Sequence, residues 1–366
     1  MLLITINTTI NKIKLMNKLY EITTIDKLND AYYEVAKASK WKKATQLYEK
    51  NLLQNNLILQ KDLRSNSYVQ LNTINFTIHE RGKVRNIKSP QIRDRIVQKV
   101  LNKYILVPEL NKYLIYDNYA SIKNRGTSFA RKRHLFYLHK IIKQYGRDAY
   151  ILQIDIRKYF DNIDHNILIN MIKDKIKHVE LYPLIEYIIN NSSETDKGLN
   201  LGSETPQICA ILYLGYIDNY CKNVEGIKYY GRYMDDIYIF HNDKEYLHSL
   251  LERINNKLDD IGLEINYKKT HITKLTHQYT FLQTIYYIND NYKIIKKMTR
   301  QKIVRERRKI KRYKRLLDNN KMTKNEIYNS YMSWRCSAIK EYNCYNTIKS
   351  MDYIFNKYIG GDKNDN

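Results

Sequence analysis

The stretch YGRYMDDIYIF, residues 230–240, reads as a tight β-hairpin whose tip carries two adjacent carboxylates, Asp235 and Asp236. Neighbouring carboxylates repel, and one takes up a proton or moves away unless a cation lies between them. Mg²⁺, which prefers oxygen ligands, removes the conflict. Asp is also an ordinary turn residue, so the pair taken alone leaves a plain turn as the alternative. A second acid shifts the balance. In QIDIRKYFDNIDH, residues 153–165, Asp155 ends an apolar strand, where a carboxylate without a partner costs free energy. With that strand beside the hairpin in one sheet, Asp155 faces Asp235 across adjacent strands. The set then clamps two metal ions, the arrangement that stabilises the attacking and leaving oxygens of phosphoryl transfer.

The rest of the chain points to a polyanion. Its 366 residues suffice for one large core or two to three lobes. The 63 Lys and Arg against 38 Asp and Glu give a formal net charge of +25, the footprint of a nucleic-acid partner. Lys, Asn, Ile and the 35 Tyr share A/T-rich codons, so local clustering weighs more than the total. From Lys293 to Arg315, thirteen of 23 residues are Lys or Arg, with Glu306 the single acid. There Ile303, Ile310, Tyr313 and Leu317 keep helical spacing, which predicts a helix that packs on one side and presents a positive stripe on the other. Cys209, Cys221, Cys336 and Cys344 form no C-x-x-C pair, which removes the usual zinc knuckle and leaves reduced thiols. Asn, Thr and Lys interrupt the N-terminal apolar residues before a secretory segment forms, and Met16 is an alternative start to Met1. No run approaches the ~18–20 apolar residues of a membrane span. A soluble, cytoplasmic protein is expected.

Residues 26–64 carry helical periodicity with Asp26 as N-cap, and 69–90 alternate around Gly82 as a hairpin does. A helix opens after Pro90. A loop at 115–130 passes into a basic helix, YILQIDI is a strand, and Asp164 caps a helix. Thr205 and Pro206 cap and open the next helix. After the 230–240 hairpin come a helix stopped by Gly262, then strands in LEINYKK and YTFLQTIYYI. That order over 150–275 predicts a βαββαβ sheet with helices on one face. With only 4 Pro and no Gly-rich linker, the lobes are expected to pack against one another.

YMDD at 233–236, with the Asp155 stretch upstream, resembles the reverse transcriptases, specifically the bacterial retroelement branch that includes group II intron, retron and diversity-generating enzymes. The likeness runs through a series of motifs over roughly residues 80–290. It implies an α+β right-hand polymerase fold with fingers, a βαββαβ palm and a helical thumb. The implied boundaries are 1–148 for N-terminal helices and fingers, 149–290 for the catalytic palm and 291–366 for the basic thumb. By the same resemblance Asp155, Asp235, Asp236 and the backbone carbonyl of Ile156 are metal ligands. Lys83 and Arg85 in ERGKVRNIKSP hold the incoming triphosphate, and Arg125 in SIKNRGTSFA meets template or phosphate. Phe160 is the steric gate against a 2′-hydroxyl, with a core aromatic as the alternative. Gln207 in LGSETPQ touches the nucleotide near a helix start, where free N–H groups favour phosphate. Lys268 or Lys269 in LEINYKKT protonates the pyrophosphate. Two departures stand out: Ile208 follows that Gln where the family commonly has Gly, and FLQ at 281–283 replaces Phe-Leu-Gly in the segment that resembles the primer grip.

The implied activity is RNA-directed DNA polymerisation with two Mg²⁺ ions, for which Mn²⁺ can substitute. The implied partners are an RNA template, an RNA/DNA duplex and dNTPs, with a dedicated non-coding RNA and an accessory protein as further candidates and no membrane. Retroelement mobility, diversity generation and antiphage defence all fit. The rival readings are an RNA-directed RNA polymerase and a catalytically inactive RNA-binding scaffold of the same fold.

Overall fold

The computed structural model of the chain describes residues 17–80 and 82–360, apart from the side chains of Glu80 and Lys83. The N-terminal stretch, with the choice between Met1 and Met16, lies outside the described residues. The architecture is α+β. Period-two alternation builds the first hairpin, in which β1 (Ile74–Glu80) and β2 (Lys83–Ser89) pair antiparallel from Ile74↔Ser89 to Glu80↔Lys83. Gly82 at its tip takes φ +77°, a conformation that strains other residues. Pro90 precedes a helix, Ile92–Leu101, which buries Ile96, Val97, Val100 and Leu101.

A four-stranded sheet of β3 (Tyr150–Ile154), β4 (Tyr230–Tyr233), β5 (Asp236–His241) and β6 (His271–Lys274) has the order β4-β5-β3-β6. This is the split βαβ order that the sequence predicts. β3 and β6 pair antiparallel from Tyr150↔Lys274 to Gln153↔His271. LEINYKK is not the fourth strand. Leu263 and Ile265 are buried on either side of exposed Glu264, which mimics a strand, yet only Ile265 makes a bridge, to Ile156. The chain turns at 267–269 before β6 begins. A third, antiparallel sheet runs β7 (Tyr279–Phe281), β8 (Thr284–Ile288), β9 (Ile294–Met298).

Helix boundaries differ from expectation at two places. The periodic stretch 26–64 is three helices, Ile25–Ala36, Lys43–Lys50 and Leu52–Arg64, with Thr24 in the N-cap position. Ser39 bonds the carbonyls of Val35 and Ala36, a local competition that ends the first of them without Gly or Pro. The helix Glu204–Tyr213 starts after Ser203, because the Thr205 hydroxyl bonds Asn102 Oδ1 (2.9 Å) instead of capping.

The chain forms two compact units. Among the described residues, one comprises 17–126, 154–238 and 249–270, and the other 127–153, 239–248 and 271–360. In the first, the helix 92–101 packs on the helix 25–36. In the second, the basic helix Arg300–Asp318 packs with Lys324–Glu341 and Tyr345–Tyr358 around Ile310, Ile327, Tyr331, Met351 and Phe355. Ile303, Tyr313 and Leu317 pack against that cluster, as their spacing predicts. Thr323 and Glu326 form a capping box that starts the second of these helices. Among the described residues no helix is long and apolar enough to cross a membrane.

Candidate active site

The acid-bearing hairpin turns through Met234 and Asp235, and Asp236 is the first residue of β5. Met234 sits at φ +56°, a left-handed backbone that a side chain of its size rarely adopts. A brace lies beneath it. Arg232, wholly buried, donates from Nη1 to the Met234 carbonyl (3.0 Å) and pairs with the equally buried Asp218. Gly231 is required beside it, because a Cβ there would come within 2.5 Å of the Tyr238 hydroxyl and 2.6 Å of the Tyr119 hydroxyl. Those two hydroxyls bond each other (3.0 Å).

Asp155 follows the last residue of β3, and β3 neighbours β5 in the sheet. Its carboxylate accepts from Asn266 Nδ2 (2.8 Å), and the Lys269 ammonium lies 3.1 Å from each of its oxygens. Arg157 N–H bonds the Glu264 carbonyl and Asn266 N–H bonds the Asp155 carbonyl. The Ile156–Ile265 bridge is therefore of the non-hydrogen-bonded kind, which turns the Ile156 carbonyl away from residues 264–266. Asp235 lies close enough to the buried Tyr159 hydroxyl for its charge to help push that hydroxyl's pKa up, second to burial among the raising effects.

Among the described residues no three His, Cys, Asp or Glu side chains form a ready cluster for a metal ion. The donors at hand are carboxylate and carbonyl oxygens, the chemistry that suits Mg²⁺, and one cation already stands in. The Lys269 ammonium lies symmetrically on Asp155, and its side chain is 52% exposed. Only the lysine end of the pair is open, the Asp155 side chain being 18% exposed, and from that end a stronger cation can displace the ammonium. The residues fit a divalent ion.

The other expected residues fall as follows. Phe160 is half-buried in the short helix Tyr159–Asn162, while its neighbour Tyr159 is buried and bonds the Ala210 carbonyl. The core aromatic of this segment is thus Tyr159, which leaves Phe160 partly open. Gln207 lies in the first turns of the helix 204–213, and its Oε1 accepts from Ser121 Oγ (3.3 Å). Ile208, in the family's Gly position, is buried. Lys269, and not Lys268, is the lysine on Asp155; Lys268 is exposed. Arg85 is exposed on β2, and the side chain of Lys83 lies outside the described residues. Arg125 does not reach outward: its Nη1 donates to the carbonyls of Tyr116 (2.9 Å) and Asn118 (3.1 Å), and its plane lies over the Tyr116 ring. It staples its own loop. In the basic helix, Glu306 turns inward, and burial raises its pKa. Arg305, Arg307, Arg308, Lys311, Arg312 and Arg315 remain exposed.

Sequence reading missed Asp218, Arg232 and Asn266. The only signal was a charged residue at an inward position of a strand, in YGRY. It also missed a cleft of about 450 Å³ in the second unit, lined in part by Arg131, Lys132, Lys296 and Lys340. These four are scattered over two hundred positions and share no motif.

A family model described as reverse transcriptase (RNA-dependent DNA polymerase) matches residues 75–286. Over 153 residues, 39% of this chain, the sequence is 27% identical to the COX1/OXI3 intron 2 protein of Saccharomyces cerevisiae and covers 17% of it. Among solved structures, apo telomerase from Candida tropicalis truncated from its C-terminal domain aligns at TM-score 0.46 and 14% identity, over 67% of this chain and 60% of that one. Telomerase from Candida albicans, in complex with a TWJ fragment of telomeric RNA, aligns at 0.47 and 12%, over 80% and 60%. This chain spans less than two thirds of the length of each of these relatives.

Proposed function

The chain belongs to the reverse transcriptase (RNA-dependent DNA polymerase) family, with its right-hand polymerase fold, and from that premise we propose that it extends a primer with deoxynucleotides on an RNA template. The observation that carries the reading is the placement of three acids. Asp155 follows β3, Asp235 and Asp236 stand at the β4–β5 tip, and β3 neighbours β5. In the reaction the primer 3′-hydroxyl gives up its proton, its oxygen bonds the α-phosphorus, and the bond to pyrophosphate breaks. When bound, two Mg²⁺ or Mn²⁺ ions held by Asp155, Asp235, Asp236 and the Ile156 carbonyl supply Lewis-acid stabilisation of the attacking and leaving oxygens.

The chain's own residues position and select. In this reading the half-buried Phe160 ring meets the sugar of the incoming nucleotide and excludes a 2′-hydroxyl, which selects deoxynucleotides. Lys83 and Arg85 take the triphosphate, and Gln207 meets the nucleotide at the start of its helix. Lys269, with Lys268 as the alternative, gives a proton to the departing pyrophosphate. The exposed arginines of the helix 300–318 grip duplex backbone, and affinity then falls steeply with salt. In this reading residues 1–148 are N-terminal helices and fingers, 149–290 the catalytic palm and 291–366 the basic helical thumb, and the enzyme works in the cytoplasm for a bacterial retroelement, a diversity-generating system or antiphage defence.

Primer extension on an RNA template, with dNTPs and with NTPs, tests the proposal. Extension with dNTPs well above NTPs is expected, and Phe160→Ala should admit ribonucleotides. Equal use of NTPs by the wild type points to an RNA polymerase, and no extension with either set points to an inactive scaffold.

A further inference from the structure

Resting on the polymerase reading, we infer that the buried Asp218–Arg232 ion pair is a positioning device for the acid turn, setting where Asp235 presents its carboxylate to a divalent cation. Arg232 and Asp218 are both 0% exposed. The guanidinium donates from Nε to Asp218 Oδ1 (2.7 Å), from Nη2 to Asp218 Oδ2 (2.6 Å) and to the Ile211 carbonyl (2.8 Å), and from Nη1 to the Met234 carbonyl (3.0 Å). Asp218 Oδ1 also accepts from the Tyr230 hydroxyl (2.6 Å). Four of five guanidinium N–H groups are thus committed.

The Met234 bond reaches the acids through one rigid plane. The Met234 carbonyl belongs to the peptide unit that ends at the Asp235 Cα, and a planar peptide anchored at its oxygen fixes that Cα. Met234 holds φ +56°, a conformation that persists only where its surroundings over-determine it. The same guanidinium bonds Ile211, one helical turn beyond Gln207 on the helix 204–213. The Arg232 backbone closes the arrangement, its N–H bonding the Asp117 carbonyl (2.9 Å) and its carbonyl accepting from Tyr119 N–H (3.0 Å). The segment 117–119 leads to Ser121, the Gln207 partner. One buried residue therefore ties the acid turn to both elements that place Gln207, its side chain holding the helix 204–213 and its backbone holding 117–119. A lysine cannot do this, because a single ammonium lacks the planar fork.

The test compares Arg232→Lys, which keeps the charge and loses the fork, with Tyr230→Phe, which removes a bond to Asp218 and none to the turn. Thermal melting, RNA binding, Mn²⁺ affinity by electron paramagnetic resonance, and kcat and KM for a dNTP are measured on each. Arg232→Lys should bind RNA normally while Mn²⁺ affinity and kcat each fall about 10–100-fold, the range for residues that orient metal ligands, with KM little changed. Tyr230→Phe should lower the melting temperature and leave Mn²⁺ affinity and kcat at wild-type values. Wild-type Mn²⁺ affinity in Arg232→Lys, or the same loss in Tyr230→Phe, overturns the inference. Should Arg232→Lys not fold, Asp218→Asn, which keeps the side-chain shape, is read by the same criteria. Mn²⁺ binding needs no turnover, so an inactive wild type would reject the polymerase reading and leave this readout standing.

Discussion

Arg232 and the arginines of the helix 300–318 carry the same guanidinium in opposite surroundings. Arg232 is sealed in, forked onto Asp218 and spent on backbone carbonyls, so its charge is cancelled where it sits and what it supplies is geometry. Arg305, Arg307, Arg308, Arg312 and Arg315 are exposed, and Glu306, the acid that lies among them, is turned into the core. What they supply is field. Of the net charge of +25, only cations of the second kind are open to a polyanion, and a composition count cannot tell the two apart. His134 shows a third solution. Wholly buried among Phe240, Phe281, Tyr279 and Tyr286, it avoids the cost of a buried charge by staying neutral, and burial pulls its pKa down to about 3.

The largest effect should follow from breaking the buried pair. Asp218→Ala leaves the Arg232 charge uncompensated, which typically costs about 3–5 kcal/mol; urea denaturation reads it, and an unchanged midpoint would mean the pair carries no weight. Next comes acid. Unfolded His134 takes a proton near its ordinary pKa of 6.5 and the folded residue only near 3. Between those values the unfolded state binds more protons, so stability falls as pH falls, by about 2 kcal/mol at pH 5 relative to pH 7. Comparison of wild type with His134→Phe over that window isolates the term, and parallel pH curves would refute it. Neutralising the stripe should leave folding alone. Arg307→Gln with Arg308→Gln is expected to flatten the plot of log RNA affinity against log salt by about 1.5 and to leave the melting temperature within error. The smallest effect concerns the other strained turn. Leu282 and Gln283 sit at φ +45° and +62° between β7 and β8, where a two-residue turn favours Gly. Gln283→Gly should stabilise by about 0.5–1 kcal/mol in thermal unfolding, and destabilisation would show that the glutamine side chain holds the turn.

What the sequence disclosed was local. The 74–89 hairpin, the 230–241 hairpin, the Asp164 cap and the packing face of the basic helix each follow from spacing within a dozen residues. The position of Asp155 was legible too, because a carboxylate at the end of an apolar strand is anomalous, whereas Asp235 and Asp236 alone read as an ordinary turn. What stayed hidden depends on partners far along the chain. Asp218 looked like any helix acid until Arg232 closed on it, and Asn266 gained meaning only beside Asp155. LEINYKK shows the converse: correct alternation of buried and exposed residues, with no neighbouring strand to pair beyond Ile156. Arg125, expected at template or phosphate from the resemblance of SIKNRGTSFA to a family motif, is bonded instead to three backbone carbonyls in its own loop.

Everything turns on whether three acids, 155, 235 and 236, act as one cation-binding set. The most direct measurement is a Mn²⁺ titration, followed by electron paramagnetic resonance, of the protein with primer, RNA template and a non-hydrolysable dNTP, for wild type, Asp155→Asn and Asp235→Asn. Tight uptake of two ions by the wild type, lost in both variants while RNA binding persists, is the predicted result. Equal uptake by all three proteins would contradict the account.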